Sequence, residues 1–286
     1  MGEDRSTLIQ TLDVEELDTN LYRGRAPQTE GTHLFGGHVI GQSVAAAIRT
    51  VSPDRSLHSV HAYFLLAGDT SIPIVYDVER TRDGGSFTTR RVTAKQHGET
   101  IFVLAASFHT GERGFSHQDA MPVAPDPDQL PGMTGSVGGA FGGLTGEWSD
   151  LDVRWAGPEL DEHMAIAREA EPHNQLWLRT VERLPDDHAV HAAVLSYASD
   201  FLLLSASLIP HRKLMWSPDM MVTSLDHAIW FHQPFRCDDW LLYDSYSPAA
   251  GSGRGLTIGR LFSREGNLVA STAQEGLLRV RSRSSI

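Results

Sequence analysis

One order of elements occurs twice in this chain: an apolar helix, then antiparallel strands. In the first half "HVIGQSVAAAIRTV" (38–51) is rich in Ala and Val with little charge, and strand patterns follow in "SLHSVHAYFLL" (56–66) and across 73–109. In the second half "DDHAVHAAVLSYASDFLLLSASL" (186–208) is apolar nearly all round, the mark of a buried helix, with Asp186 and Asp187 as candidate N-caps. Strands are then predicted in 224–235, 240–263 and 267–281. "RDGGS", "QHGET" and "REGN" read as hairpin turns, because Gly accepts the positive φ such turns require. The two halves correspond in detail: His61-Ala62 leads, 15 residues on, to Tyr76-Asp77, and His227-Ala228 leads, 16 residues on, to Tyr243-Asp244. Gly98 and Gly266 then precede the closing strands "IFVLAASF" and "LVASTAQE". A period of about 165 residues is too long for a solenoid. Each half is predicted to curl an antiparallel sheet around one buried helix, an α+β layer arrangement.

This organisation places one domain at 1–110 and a second at 176–286. Between them lies a linker, 111–175, rich in Gly, Pro, Asp and Met, with disorder predicted for 132–148 around "GSVGGAFGGLTG". Lys plus Arg number 24 against 36 Asp plus Glu, a net charge of −12 that argues against non-specific nucleic-acid binding. No membrane insertion is expected, since no run of 18 apolar residues occurs and the start lacks the basic-then-apolar pattern of a secretory signal. The single cysteine, Cys237, excludes an intrachain disulfide and a Cys-based zinc cluster, and a reducing cytoplasm fits it. No cofactor or metal is expected, because no clustered ligand spacing occurs. The tail "RVRSRSSI" carries three arginines, either a patch for a polyanionic ligand or a solvated terminus.

Asp200 is the most informative residue. A carboxylate near the middle of an apolar helix is costly unless it is paired or lines a wet site. It is either a structural Asp bound by Ser196 or the backbone, or a functional group. The equivalent first-half helix has no carboxylate, so the fold does not require one, and one active site per chain is expected. On the last strand Leu268, Ala270, Thr272, Gln274, Gly276 and Leu278 share one face. Gln274 is thus an amide facing the presumed core, either satisfied by backbone or holding a carboxylate through its NH2 and a water through its carbonyl. Asp226 and His227 invite reading as an acid–base pair, but adjacent strand residues point to opposite faces. His227 has its counterpart in His61 of the other half, which favours structural roles for both. His58 is a secondary candidate for substrate binding. Gly36 and Gly37, before the first helix, either form a tight turn or expose amides for an oxyanion or phosphate. "GSGRG" (251–255) lacks the Lys-Ser/Thr ending of a phosphate loop, and "GQSVA" (41–45) lacks the second Gly of a nucleophile elbow.

The blocks "LFGGHVIGQSVAAA", "HSVHAYFLLAGD", "PIVYDVERTRDGGSFTTRRV", "LDHAIWFHQPF", "WLLYDSYSP" and "GRGLTIGRLFSREGNLVASTAQEG" together resemble the acyl-CoA thioesterase II family, over roughly 10–282. The resemblance implies a double hotdog fold that hydrolyses fatty acyl-CoA to a free acid and CoA. It implies a catalytic Asp, Thr and Gln that position and activate a water, falling here on Asp200, Ser224 and Gln274. Ser224 departs from the family Thr but keeps a hydroxyl; Thr223 is its neighbour, and the Asp-His pair that follows selects Ser224. A homodimer or larger homo-oligomer is implied too. The rival readings are a hotdog hydratase or dehydratase acting on acyl-CoA, and a non-catalytic acyl-CoA binding module.

Overall fold

The computed structural model describes residues 7–26, 34–133, 149–160, 166, 168–215 and 217–281. The first half contains α1 (Leu8–Leu12), β1 (Val14–Asp18), β2 (Leu21–Gly24), α2 (Gly36–Ile48), β3 (Ser56–Phe64), β4 (Ile74–Asp83), β5 (Phe87–Gln96) and β6 (Glu99–His109). The second contains β7 (Leu151–Trp155), β8 (His173–Thr180), α3 (His188–Ala198), β9 (Met220–Ser224), β10 (Asp226–Phe231), β11 (Leu241–Gly251), β12 (Arg254–Ser263) and β13 (Leu268–Val280). All strands join one 13-stranded sheet in the order β1-β2-β4-β5-β6-β3-β10-β13-β12-β11-β8-β7, with β9 also on β13. Outward from the β3–β10 seam, both halves repeat the same sequence of strands. The duplication read from the sequence is therefore a pseudo-twofold, with α2 and α3 side by side in the hollow of the sheet.

The domain boundaries move accordingly. β7 lies inside the stretch 111–175 expected as linker, and it pairs antiparallel with β8, which begins before 176. Leu151 and Val153 are buried, so this segment is core. Just as β1 and β2 precede α2, β7 and β8 precede α3. The earlier linker residues strap the outer face of the second half: Met121 and Leu130 pack on Trp177, Trp240 and Phe262. Trp177 Nε1 donates to the carbonyl of Pro125 at 2.8 Å. The disorder predicted for 132–148 falls, beyond Met133, outside the described residues.

The second helix is shorter than its apolar pattern suggests. Asp187 caps α3 by accepting from the amide of Ala189, but the α-helix ends at Ala198. Its last turn tightens, with Phe201 N donating to Ala198 O, and Leu202 adopts φ 55° before a 3₁₀ turn, Leu203–Ser207. Tyr243, buried under the helix, donates its hydroxyl to the carbonyl of Ser199 at 2.7 Å, taking an acceptor that a continuing helix would use. The 20-residue stretch His188–Ser207 is apolar enough to span a membrane by composition, yet it is almost wholly buried inside the protein. The hairpin turn at His97–Gly98 has the expected positive φ, whereas the turn at Gly84–Gly85 is made without it. "GSGRG" is the β11–β12 hairpin, with Ser252 at φ 51° and Gly253 at φ 73°.

Two glycines four apart on α2 share a face toward α3. A methyl on Gly37 would collide with the carbonyl oxygen of Tyr197 and the ring of Phe35, and one on Gly41 would lie 3.2 Å from the carbonyl oxygen of Ala193. Substituting Gly37→Ala is expected to cost about 1–3 kcal/mol of stability despite alanine's better helix propensity, because a backbone carbonyl cannot step aside. Denaturant unfolding checks this, and an unchanged midpoint would contradict the close approach.

Candidate active site

The site forms where the halves meet. Asp200 leaves the end of α3, 7% exposed. Gln274 reaches it from β13, 1% exposed. Its Nε2 donates to Asp200 Oδ1 at 2.6 Å and to Ser224 Oγ at 2.7 Å. Ser224 Oγ lies 3.4 Å from the same carboxylate oxygen. From the first half, the amide of Gly37 donates to Asp200 Oδ2 at 2.9 Å. The positive end of α2 thus points at the carboxylate, where an anion is favoured. Asp200, Ser224 and Gln274 are therefore brought together as the resemblance implied.

Local backbone breaks aim two of these groups. The segment expected as one strand from 224 is interrupted at Leu225, whose amide bonds Glu275 O while Asp226 Oδ1 accepts from Glu275 N at 2.7 Å. Asp226 thereby closes the backbone pairing that the interruption opens, and Ser224 belongs to β9, opposite Gly276. Asp200 sits after the helix end, in the turn made by Phe201 and Leu202, not mid-helix. The side chain of Gln274 shares the inward face of β13 with Ala270 and Thr272, as the alternation predicted.

Other expectations change. Gly36 and Gly37 do belong to the site, but Gly37's N–H is engaged by the protein's own carboxylate. A Cβ on Gly36 would sit 2.7 Å from Asp200 Oδ2 and 2.9 Å from the ring of Phe64, so Gly36 permits that approach. The carbonyl of Gln274 does not face the Asp200–Ser224 side, because both N–H bonds point there. His58 is elsewhere: its Nε2 lies 2.8 Å from Ser107 Oγ, and its ring packs edge-on to Phe87. Six residues separate it from Phe64 along β3, about 20 Å at strand rise. His61 and His227 are not counterparts either. His61 faces outward opposite Ala228, while His227 is buried opposite Ala62, and a one-residue offset turns one from the other. That Asp200 and Phe64 both crowd Gly36 was not legible beforehand, since nothing local links residues 36, 64 and 200.

Electrostatics follow from this packing. Burial raises the Asp200 carboxyl to about 6, against the lowering effect of its bonds from Gln274, Gly37 and Ser224. His227 is driven the other way, to about 4, by its own burial. The result is a carboxylate ionised at neutral pH but far more basic than an exposed Asp.

Two hotdog-type halves, each with one central helix (α2 and α3), and a donor-lined carboxylate where they meet define a double hotdog protein. Comparisons with known proteins carry this to a family. The family described as "Acyl-CoA thioesterase" matches residues 163–277, and that described as "Acyl-CoA thioesterase N-terminal domain" matches residues 25–109. Acyl-coenzyme A thioesterase 8 of Homo sapiens is 37% identical over 297 residues, covering 98% of this chain and 91% of that protein. Acyl-CoA thioesterase 2 of Haemophilus influenzae is 37% identical over 297 residues, covering 98% and 99%. The crystal structure of an acyl-CoA thioesterase II, TesB2, from Mycobacterium marinum is 46% identical with a TM-score of 0.79, over 96% of this chain and 98% of that one. The chain belongs to the acyl-CoA thioesterase family.

The raised carboxyl has a measurable consequence for folding. Asp200 holds its proton more tightly folded (about 6) than at its ordinary 3.8, so it contributes stability below 3.8 that is lost as pH rises through 6. Above 6 the full burial cost is present, about 3 kcal/mol by linkage. Asp200→Asn removes the titration, so its melting temperature relative to wild type should rise between pH 4.5 and 7.5. An equal gap at the two pH values would contradict a raised carboxyl.

Proposed function

We propose that the protein hydrolyses fatty acyl-CoA with a water activated by Asp200. The observation that carries this is the carboxylate buried between the halves and held by Gln274 Nε2 at 2.6 Å and Gly37 N at 2.9 Å, beside the Ser224 hydroxyl. The water sits between the carboxylate and that hydroxyl. Asp200 takes one of its protons as the oxygen attacks the thioester carbonyl, forming a tetrahedral oxyanion. Collapse breaks the C–S bond, the fatty acid leaves, and the proton on Asp200 passes to the CoA thiolate. That transfer is downhill, since a thiol near 8.5 outcompetes a carboxyl near 6. The elevated basicity of Asp200 also makes it a better general base than an exposed Asp. Ser224 in place of Thr keeps the hydroxyl that orients the water.

Thiol release from acyl-CoAs of graded chain length, wild type beside Asp200→Asn, tests this reading, and hydration of an acyl-CoA would free no thiol. The variant should retain its fold and lose at least about a hundredfold in turnover, the lower end of general-base contributions. Wild-type kcat/KM should rise with pH through an inflection near 6, because only the ionised carboxylate accepts the proton. Near-normal hydrolysis by Asp200→Asn would sink the assignment.

We further infer a homodimer or larger assembly through the outer face of the central strands. Tyr63 stands 60% exposed there, and His61 packs edge-to-face on the exposed Trp230 with ring centroids 5.2 Å apart. The described strap residues cover the second half's outer sheet, leaving these aromatic groups on the surface. Light scattering should give at least twice the chain mass of 31.4 kDa, and Trp230→Glu should shift the population toward 31.4 kDa. A monomeric wild type would refute it.

A further inference from the structure

We propose that His227 is a positioning residue for the reaction: its ring, carrying its proton on Nδ1, donates to the carbonyl oxygen of Gln274 and so decides which end of that amide faces Asp200. The inference rests on the roles proposed above for Asp200, Ser224 and Gln274, and adds a group that touches neither water nor substrate.

Strand register brings the two side chains together. Ala228 pairs with Ala273 in an antiparallel register, so one step back along β10 and one step forward along β13 set His227 opposite Gln274. Cross-strand partners have Cβ atoms about 5 Å apart. Both side chains point inward and both are 1% exposed. His227 Nδ1 and Gln274 Oε1 are each buried with no other hydrogen-bond partner among the described residues, and the Gln274 side chain pulls the His227 ring upward against the effect of its burial. Buried polar atoms are rarely left so, and these two complement each other only when Nδ1 carries the proton. The other ring nitrogen has its own partner: Nε2 lies 2.9 Å from Ser199 Oγ, whose one hydroxyl proton then points to the ring, the carbonyl of Ser196 at 2.9 Å being its alternative acceptor. Ser199 is the residue before Asp200, so the chain of contacts Ser199–His227–Gln274–Asp200 closes on itself. With the proton on Nε2 instead, a ring lone pair would face a carbonyl lone pair.

The orientation matters chemically. Gln274 presents its NH2 to Asp200 and Ser224. Rotated by half a turn, it would set a carbonyl oxygen against the carboxylate and favour the protonated, inactive acid. An Nδ1–H donor on the far side opposes that rotation. Burial keeps the ring neutral across the working range, its value lying near 4, so it acts by geometry and not as an acid or base. Tyr243, the other titratable neighbour of Asp200, is pushed far above neutrality by burial and stays a phenol.

The silent half supplies an internal comparison. Tyr76 and Tyr243 are related by 167 positions, and the same offset relates Val60 to His227. Gly98 and Gly266 are related by 168, which relates Ala106 to Gln274. Val60 and Ala106 are a register pair on β3 and β6, and both are buried. The fold thus accepts an apolar pair at this place, and carries the polar pair only beside the carboxylate.

The full-length chain with 15N-labelled histidine gives the first test, with the His227 signals assigned by their loss in His227→Asn. The ring should show protonated Nδ1 and bare Nε2, unchanged between pH 5.5 and 8 as a value near 4 requires; a protonated Nε2 overturns the proposal. Kinetics give the second. His227→Leu should lower kcat about ten- to a hundredfold with KM within about threefold, the range for a group acting through another. Its acidic limb should move above 6, since the bond from Gln274 is one of those that lower Asp200. His227→Asn puts an amide N–H where Nδ1 was and should restore kcat to within about threefold of wild type. His227→Gln reaches the Nε2 position instead and should behave like Leu. The reverse order of rescue overturns the proposal. Gln274→Ala separates the two levels: wild-type turnover in that variant defeats the proposed site itself, while impaired Gln274→Ala beside unimpaired His227→Leu defeats only the role of His227.

Discussion

The antiparallel pairing of β3 with β10 is the constraint on which the molecule turns. Ala62 opposite His227 and Val60 opposite Ile229 fuse two sheets into one. That seam places the start of α2 against the end of α3, because each helix lies in its own half's hollow. Only then does an amide from residue 37 reach a carboxylate at residue 200, a contact spanning 163 positions. A shift of one residue at the seam would turn every inward side chain outward. The site is therefore a product of register before it is a product of chemistry.

The carboxylate is held in tension. Burial pushes Asp200 toward the neutral acid, while Gln274, Gly37 and Ser224 pull it toward the anion. Neither side wins outright, and the group settles near 6. The cost is borne by the fold, since above pH 6 the chain carries a buried charge it would be more stable without. Tyr243 contributes at a remove: by taking the carbonyl of Ser199 it helps end the helix and turn Asp200 toward the seam.

Much of this was legible in residue order. The duplicated helix-and-strand pattern implied two α+β halves, and alternation along 268–278 put Gln274 on the inward face. The absence of any carboxylate in the first-half helix singled out Asp200 as a group the fold does not require. What misled was local pattern without context. The apolar run through 208 looked like one helix, because nothing in it announces that a tyrosine 44 residues on will capture a backbone carbonyl. Gly- and Pro-rich flanks hid β7, a short strand whose burial depends on β8. His58 was singled out by residue type alone, and it stands beside Ser107, at the other end of β3 from Phe64. His61 and His227 aligned by spacing but differ by one residue in register, enough to face opposite ways.

Residue order alone determined the number of halves, the order of elements within each, and which polar side chains stand on apolar faces. These follow from periodicity and turn chemistry, which act over a few residues. The tertiary structure decided that Gly37 serves Asp200, that Gln274 turns its amide inward while its carbonyl faces away from the carboxylate, and that His58 stands beside Ser107, away from the carboxylate. Those outcomes depend on how two sheets meet and where a helix is cut short. Both are settled by packing between segments more than a hundred residues apart, on which short-range pattern carries no information.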